Sequence, residues 1–391
     1  MRTIVTMPGD GIGKVVLPEG LRVLDAVGFD ANYVHADIGW EFWCKEGNPF
    51  PQRTIELLSE HKIGLFGAIT SKPKDKADAE LAPELKGKGY VYSSPIVGMR
   101  QKFDLDISVR PCQSFPGNPL NFIRRHGEGF VEPKVDAVIF RQNTECLYSG
   151  VEWTNPPAEV RKALESHKKM KAFSHVAGED LAVSCRVMSR GACRRICEAA
   201  FTYAHTYGYK TVTVCEKANV IRETSGLMRA EAKEVAKNYP GIAMWETNID
   251  AMMMWLTKNP EDYGVLVSSN MFGDILSDGF AGLVGGLGFA ASANIGRDIA
   301  VFEPTHGSAP KYEKLQPSIV NPIAMILTVC MLLDHLGEND KATRIKDAVA
   351  SVVKEGKVRT YDMLRLTGGP DVFTHGAAST TQITDAVIAN L

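Results

Sequence analysis

Short apolar runs alternate with longer amphipathic stretches along the chain. Ile63 to Phe66, Ala137 to Phe140, Thr211 to Cys215 and Val265 to Ser268 have the length of buried strands. Between Ser189 and Tyr207, the positions Ala192, Ile196, Ala199, Ala200 and Tyr203 recur at helical spacing, and Gly208 ends the pattern just before the strand at Thr211. Asn321 and Pro322 read as an N-cap and a first-turn proline, opening a helix that ends near Gly337. This alternation predicts an α/β architecture. The polar, proline-containing stretches Lys72 to Lys88 and Asn155 to Lys171 read as surface loops or excursions, and no internal repeat interrupts the pattern.

A length of 391 residues exceeds one typical core and points to two domains. With 45% hydrophobic and 23% charged residues the composition is that of a soluble globular protein, which excludes disordered, collagen-like and coiled-coil chains. Lys and Arg number 44 against 46 Asp and Glu, so no basic field recruits nucleic acid or a membrane surface, and an anionic ligand must be held by local arginines. The most apolar stretch, Ile323 to Leu333, is shorter than the roughly 18 residues that span a bilayer. Met1 and Arg2 lead into strand-like Thr3 to Met7 without a secretory or transit pattern, so the expected location is the cytoplasm. The eight cysteines form no CxxC pair; Cys193 and Cys197, four apart, read as buried free thiols rather than a metal site.

Four segments carry candidate chemistry. Gly9 to Gly13 follows a strand and opens a helix, but Lys14 stands where a dinucleotide-binding GxGxxG needs its third glycine, leaving a tight structural turn as the alternative. Arg100, Arg110 and Arg141 would suit a polycarboxylate if they converge, because guanidinium forks bind carboxylates bidentately. Asp274 and Asp278 share a helix face if the segment after Gly273 is helical, ready to offer hard oxygens to Mg²⁺ or Mn²⁺; the glycine-rich stretch Gly279 to Gly296 follows directly. The loop Glu303 to Tyr312 packs His306, Ser308, Lys311 and Tyr312 closely enough to donate to phosphates and stack on a base.

Taken in order, these segments, with Asn143-Thr144-Glu145 and Lys217-Ala218-Asn219-Val220, resemble the β-decarboxylating dehydrogenases: isocitrate, isopropylmalate, homoisocitrate and tartrate dehydrogenases. The resemblance covers nearly the whole chain. It implies an α/β fold that is not Rossmann, with a large domain from residues 1–105 and 285–391, and a smaller inserted domain, 106–284, whose arm near 146–190 clasps a second subunit. It further implies an interdomain active site built from both subunits, hence a homodimer or larger homo-oligomer.

The same resemblance assigns residues. Asn143 to Glu152 looks like the isocitrate enzymes' NTEDxY(A/S)G(I/V)E, and Thr70 and Ser71 replace the Gly-Gly turn of isopropylmalate enzymes, so isocitrate is the expected substrate. Against it, Ile96 stands where isocitrate enzymes usually carry an asparagine. By carry-over, Lys217 helps deprotonate the C2 hydroxyl and Tyr148 protonates C3. Thr70, Ser94, Arg100, Arg110 and Arg141 hold the substrate, while Asp250, Asp274 and Asp278 hold Mg²⁺ or Mn²⁺. Glu303, His306, Gly307, Ser308, Ala309, Lys311, Tyr312 and Asn321 take the cofactor, and Tyr361 and Arg365, four apart on an expected helix, complete a preference for NADP over NAD. The competing readings are a sister dehydrogenase with Ile96 lining an apolar pocket, and a non-catalytic regulatory subunit; the presence of Tyr148, Lys217 and all three aspartates favours a catalyst.

Overall fold

The computed structural model describes residues 2–391. Its centre is a ten-stranded sheet. From edge to edge the strands are Ala243–Asn248, Thr211–Glu216, Val265–Ser268, Asp136–Gln142, Ile107–Gln113, Ala291–Ile295, Ala300–Pro304, Ile63–Ala68, Arg2–Gly9 and Ala31–His35. All four apolar runs of the sequence lie in strands. The outer four strands on each side are parallel, whereas the middle two are antiparallel to each other and to their outer neighbours. That central reversal separates the sheet from an all-parallel dinucleotide-binding fold.

Helices cover both faces. On one side of the sheet Gly13–Ala26, Ile323–His335, Asn339–Glu355 and Thr380–Ala389 enclose a core with Ile4, Leu65 and Phe302, while Gln52–His61 and Pro95–Lys102 bury Val5, Met7 and Phe66 on the other face. At the opposite end Arg190–Tyr207 and Thr224–Ala236 pack on Phe140, Val212 and Val214, and Ile249–Lys258 and Asn270–Leu283 pack on Ile139, Cys215 and Leu266. Adjacent strand residues fall into different cores because side chains alternate across a sheet. The same period places Ser108, Arg110, Arg141, Ser292, Asn294 and Glu303 on one face of the four central strands, with all six buried.

The expected helix after Ser189 forms, the Ser189 hydroxyl accepting from Ala192 N and Gly208 adopting a left-handed conformation after it. Asn321 Oδ1 accepts from Ile323 N at 3.0 Å, which caps the helix ending at His335. The two stretches read as surface loops or excursions are partly helical. Lys74–Glu80 is held because Ala77 is buried against Trp43, whose indole donates to Ala77 O at 2.9 Å, and Ala158–Glu165 carries an Arg161–Glu165 pair one turn apart. The latter lies inside an excursion framed by the antiparallel strands Glu152–Thr154 and Ala182–Ser184, outside the main sheet. All eight cysteines are free, and Cys197 Sγ lies 3.7 Å from Met228 Sδ in a buried contact. Among the described residues no helix is long and apolar enough to cross a membrane.

Candidate active site

Asp274, on the helix Asn270–Leu283, gathers three of the expected side chains. Its Oδ1 accepts from Arg110 Nη1 at 3.0 Å and from Arg141 Nη1, and its Oδ2 accepts from Tyr148 OH at 2.6 Å. Arg141 is 1% exposed, donates from Nε to Asn270 Oδ1 at 2.8 Å, and stacks on the Tyr148 ring at 5.0 Å. Asp278 lies one helical turn beyond Asp274 with its carboxylate 3.7 Å from Arg110, so the two acids do share a face. Arg110 also donates to Ser277 Oγ at 2.7 Å, while its Nε is buried without a partner.

The electrostatics follow from this packing. Burial pushes the Asp274 carboxyl up, but Arg141, Arg110 and the Tyr148 hydrogen bond outweigh it and hold Asp274 below the usual carboxylate range. Burial, then the Asp274 hydrogen bond, raises Tyr148, so the phenol keeps its proton at neutral pH. Burial, followed by Arg110 and Arg100, presses the Arg141 guanidinium below its ordinary value, with Asp274 opposing. Arg110 and Arg141 thus converge on Asp274, and the charge of Arg100 also acts on Arg141, Asp274 and Tyr148.

Arg100 is anchored differently. Its Nε donates to Asn294 Oδ1 at 3.1 Å and its Nη2 to Glu303 Oε1 at 2.9 Å, a pair with both side chains under 10% exposed. Glu303, expected with the cofactor, therefore has one carboxylate oxygen committed to Arg100. Ser94 is the N-cap residue of the helix Pro95–Lys102 that carries Arg100, and Ile96 on that helix packs against the apolar cluster containing Phe66 and Met99.

The third expected metal ligand stands apart. Asp250 accepts from Lys217 Nζ at 2.5 Å, and that hydrogen bond is the main cause of its lowered pKa. Neither residue bonds Asp274, Asp278 or Tyr148, and among the described residues no group of three His, Cys, Asp or Glu side chains is placed to hold a metal ion. Within one chain Asp250 therefore lies apart from Asp274 and Asp278. Asp250 opens a helix after the edge strand Ala243–Asn248, whereas Asp274 follows the strand Val265–Ser268, two positions inward. Lys217 is itself well tethered: Ser225 Oγ lies 3.4 Å from Lys217 N and donates to Glu216 Oε2 at 2.5 Å, and Arg186 pairs with Glu216 at 2.9 Å.

The loop after Glu303 is seated on the glycine turn. Ile12 N donates to Ser308 O at 2.7 Å, and Gly11, at φ +53°, has no room for a Cβ, which would meet Ser308 O at 2.1 Å. Thr70 Oγ1 lies 2.6 Å from Ser308 Oγ, joining an expected substrate residue to the loop. Gly307 is open to solvent, Ala309 adopts a left-handed conformation, and His306 is kept neutral by burial with Nε2 unpartnered. Lys311 sits 4.6 Å from the Tyr312 ring, which lies 5.7 Å from that of Tyr361. Asn321 Nδ2 ties this region to Asp362 at 3.0 Å. One expectation fails here: residues 361–365 form turns, not a helix, and Arg365, at φ +56°, donates to Pro119 O at 3.0 Å instead of lining up with Tyr361.

A sequence profile described as Isocitrate/isopropylmalate dehydrogenase matches residues 3–387. The chain belongs to the isocitrate/isopropylmalate dehydrogenase family. It is 39% identical to homoisocitrate dehydrogenase of Methanocaldococcus jannaschii, over 92% of each chain, and 38% identical to the DlpA protein of Legionella pneumophila, over 98% of this chain but only 58% of that protein. The crystal structure of isocitrate dehydrogenase from Methylococcus capsulatus superposes with a TM-score of 0.80 at 34% identity, covering 100% of this chain and 99% of that one. The family is that of the β-decarboxylating dehydrogenases, which generally use a nicotinamide nucleotide and a divalent metal with small carboxylate substrates.

In this family member the donor set suits such a cation: Asp274 and Asp278 present hard oxygens from one helix face, and Asp278 is 61% exposed, with its side chain open to a ligand. Two features escaped the sequence reading. Asn294 belongs to the glycine-rich stretch, where Ser292 and Asn294 at period two inside an apolar strand are the sequence sign of a polar inner face. Arg186, with Glu216 and Ser269, had no sequence signal at all, because its partners are remote along the chain.

Proposed function

We propose that this dehydrogenase acts in the cytoplasm on isocitrate, oxidising C2 and releasing the carboxylate on C3 as CO₂, with NADP as hydride acceptor and Mg²⁺ or Mn²⁺ required. The observation that carries this reading is the convergence of Arg110, Arg141 and Tyr148 on Asp274, with Arg100 close enough for its charge to act there. Three buried guanidiniums suit a substrate with three carboxylates.

When bound, the metal would polarise the C2 oxygen and the nicotinamide would accept hydride. The protein's own groups do the rest. Arg100, Arg110 and Arg141 hold carboxylates, with Thr70 and Ser94 offering hydroxyls. Asp274 and Asp278 would hold the cation through their carboxylate oxygens. Lys217 would accept the C2 hydroxyl proton in its neutral amine form, after its ammonium has given up a proton, and Tyr148, whose phenol stays protonated, donates a proton to C3 once CO₂ has left.

Asp250 and Lys217 would come from a second copy. Supporting this, Met254 and Trp255 on the helix beginning next to Asp250, and Ile275 beside Asp274, are exposed apolar side chains of the kind a partner covers. The segregation of cores supports a large domain of 1–105 and 285–391 and a smaller one of 106–284, and the strand pair Glu152–Thr154 and Ala182–Ser184, outside the main sheet, supports a clasp near 146–190.

A sister substrate is the second reading. Ile96, half-buried on the helix of Arg100, offers an apolar surface where isopropylmalate or homoisocitrate would fit. The test is a panel of isocitrate, homoisocitrate, isopropylmalate and tartrate, with Mn²⁺ and either NADP or NAD, compared by kcat/KM. Isocitrate with NADP is expected to lead. A higher value for another acid transfers the assignment to it, and no turnover with any acid, together with stimulation of a partner enzyme, makes the chain a regulatory subunit.

A further inference from the structure

Asn294 lies in the antiparallel middle of the sheet with none of its surface exposed. Its amide is fully engaged. Oδ1 accepts from Arg100 Nε at 3.1 Å and Asn143 Nδ2 at 2.8 Å, and Nδ2 donates to Glu303 Oε1 at 2.8 Å and Val301 O at 3.3 Å. Arg100 Nη2 donates to the same Glu303 oxygen at 2.9 Å. One edge of the guanidinium is thus closed by an amide and a carboxylate, and Nη1 has no protein partner among the described residues. Because the five N–H donors of arginine lie in one rigid plane, fixing that edge decides where Nη1 points.

Glu303 is also the lead-in to the loop Thr305 to Tyr312, which rests on the glycine turn through Ser308. A carboxamide is the side chain this position needs. Leucine would strip acceptors from Arg100 and Asn143, and aspartate would set a second carboxylate against Glu303. Serine is too short to reach both partners.

We propose that Asn294 is a positioning residue that couples the nucleotide loop to the free edge of Arg100, so that occupancy of the loop changes the grip on a substrate carboxylate. The inference deepens the function proposed above and rests on it.

The test measures isocitrate affinity by titration calorimetry in the presence of Mn²⁺, with and without NADPH, for wild type, Asn294→Leu, Asn294→Ser and the control Ser292→Ala. Ser292 is buried on the same strand face, with its hydroxyl 3.5 Å from Ser108. In wild type NADPH is expected to change isocitrate affinity by about fivefold or more. Both Asn294 variants should bring that ratio to within about twofold of one and raise KM about tenfold, with a smaller loss of kcat. The control should keep the wild-type ratio. If the leucine variant fails to fold, the serine variant decides. A wild-type ratio of one, or an unchanged ratio in folded Asn294→Ser, overturns the coupling while leaving the functional reading intact. Wild type that binds neither isocitrate nor NADPH overturns both.

Discussion

Lys217 Nζ donates to Asp250 Oδ1 at 2.5 Å, on a part of the chain that makes no bond to Asp274 or Tyr148. If the proposed site combines the Asp274 group of one copy with the Lys217 group of another, two inactive variants should rescue each other. Lys217→Met and Asp274→Asn are each expected to lose about 10²–10⁴ in kcat. When they are mixed, unfolded and refolded together, half of the dimers are hybrids and each hybrid contains one site free of both changes, so activity should return to about a quarter of wild type. No recovery from a refolded mixture that contains hybrids would mean that each site is built from a single chain.

Tyr148 tests the proton-donor role separately. Its pKa is raised by burial and by the hydrogen bond to Asp274, so the phenol is a proton donor throughout the neutral range. Tyr148→Phe keeps the ring on Arg141 and removes only the hydroxyl. We expect kcat to fall about 10²–10⁴ while substrate Kd stays within about threefold. A variant that turns over at the wild-type rate would take Tyr148 out of the chemistry.

How much of this was legible in the sequence depends on the range of the interactions involved. The strands at Ile63, Ala137, Thr211 and Val265 and the helices after Ser189 and Asn321 are encoded in local periodicity and capping, and they formed as read. Asp274 and Asp278 shared a face because helical spacing is local. The hold of Asn294 on Arg100, 194 positions away, depends on strand pairing that no local window contains. The turn at Tyr361 to Arg365 illustrates the opposite failure: the spacing allowed a helix, but the left-handed Arg365 and its bond to Pro119 O took the side chain elsewhere.

Asp106 gives a stability prediction with a defined sign. Burial, opposed by Arg195 and aided by Asp104, pushes its carboxyl from 3.8 up to about 6. Between those values the folded chain holds a proton that the unfolded chain has released, so this group's contribution to stability falls as pH rises through the window and is level above it. Asp106→Asn cannot titrate. Raising pH from about 4 to about 6.5 should therefore cost wild type about 1–3 kcal/mol relative to the variant, read from urea midpoints. A difference that stays constant across the window would show that Asp106 titrates alike in both states.

Cofactor choice is proposed to turn on Lys311, Tyr312 and Tyr361, which lie together, and not on Arg365, which is engaged elsewhere. A 2′-phosphate is a dianion near neutral pH, so an exposed ammonium beside the Tyr312 ring can bind it at little desolvation cost, whereas an aspartate there would favour the ribose diol of NAD. Lys311→Asp with Tyr312→Ile should lower the ratio of kcat/KM for NADP over NAD at least tenfold, since one charge-assisted hydrogen bond contributes about 1.5–3 kcal/mol. Arg365→Ala should shift the same ratio less than about threefold, because its guanidinium already bonds a backbone carbonyl. A wild-type ratio below one would make this an NAD enzyme, and an Arg365→Ala effect as large as that of the double variant would mean that the 361–365 turn reorganises when the nucleotide binds.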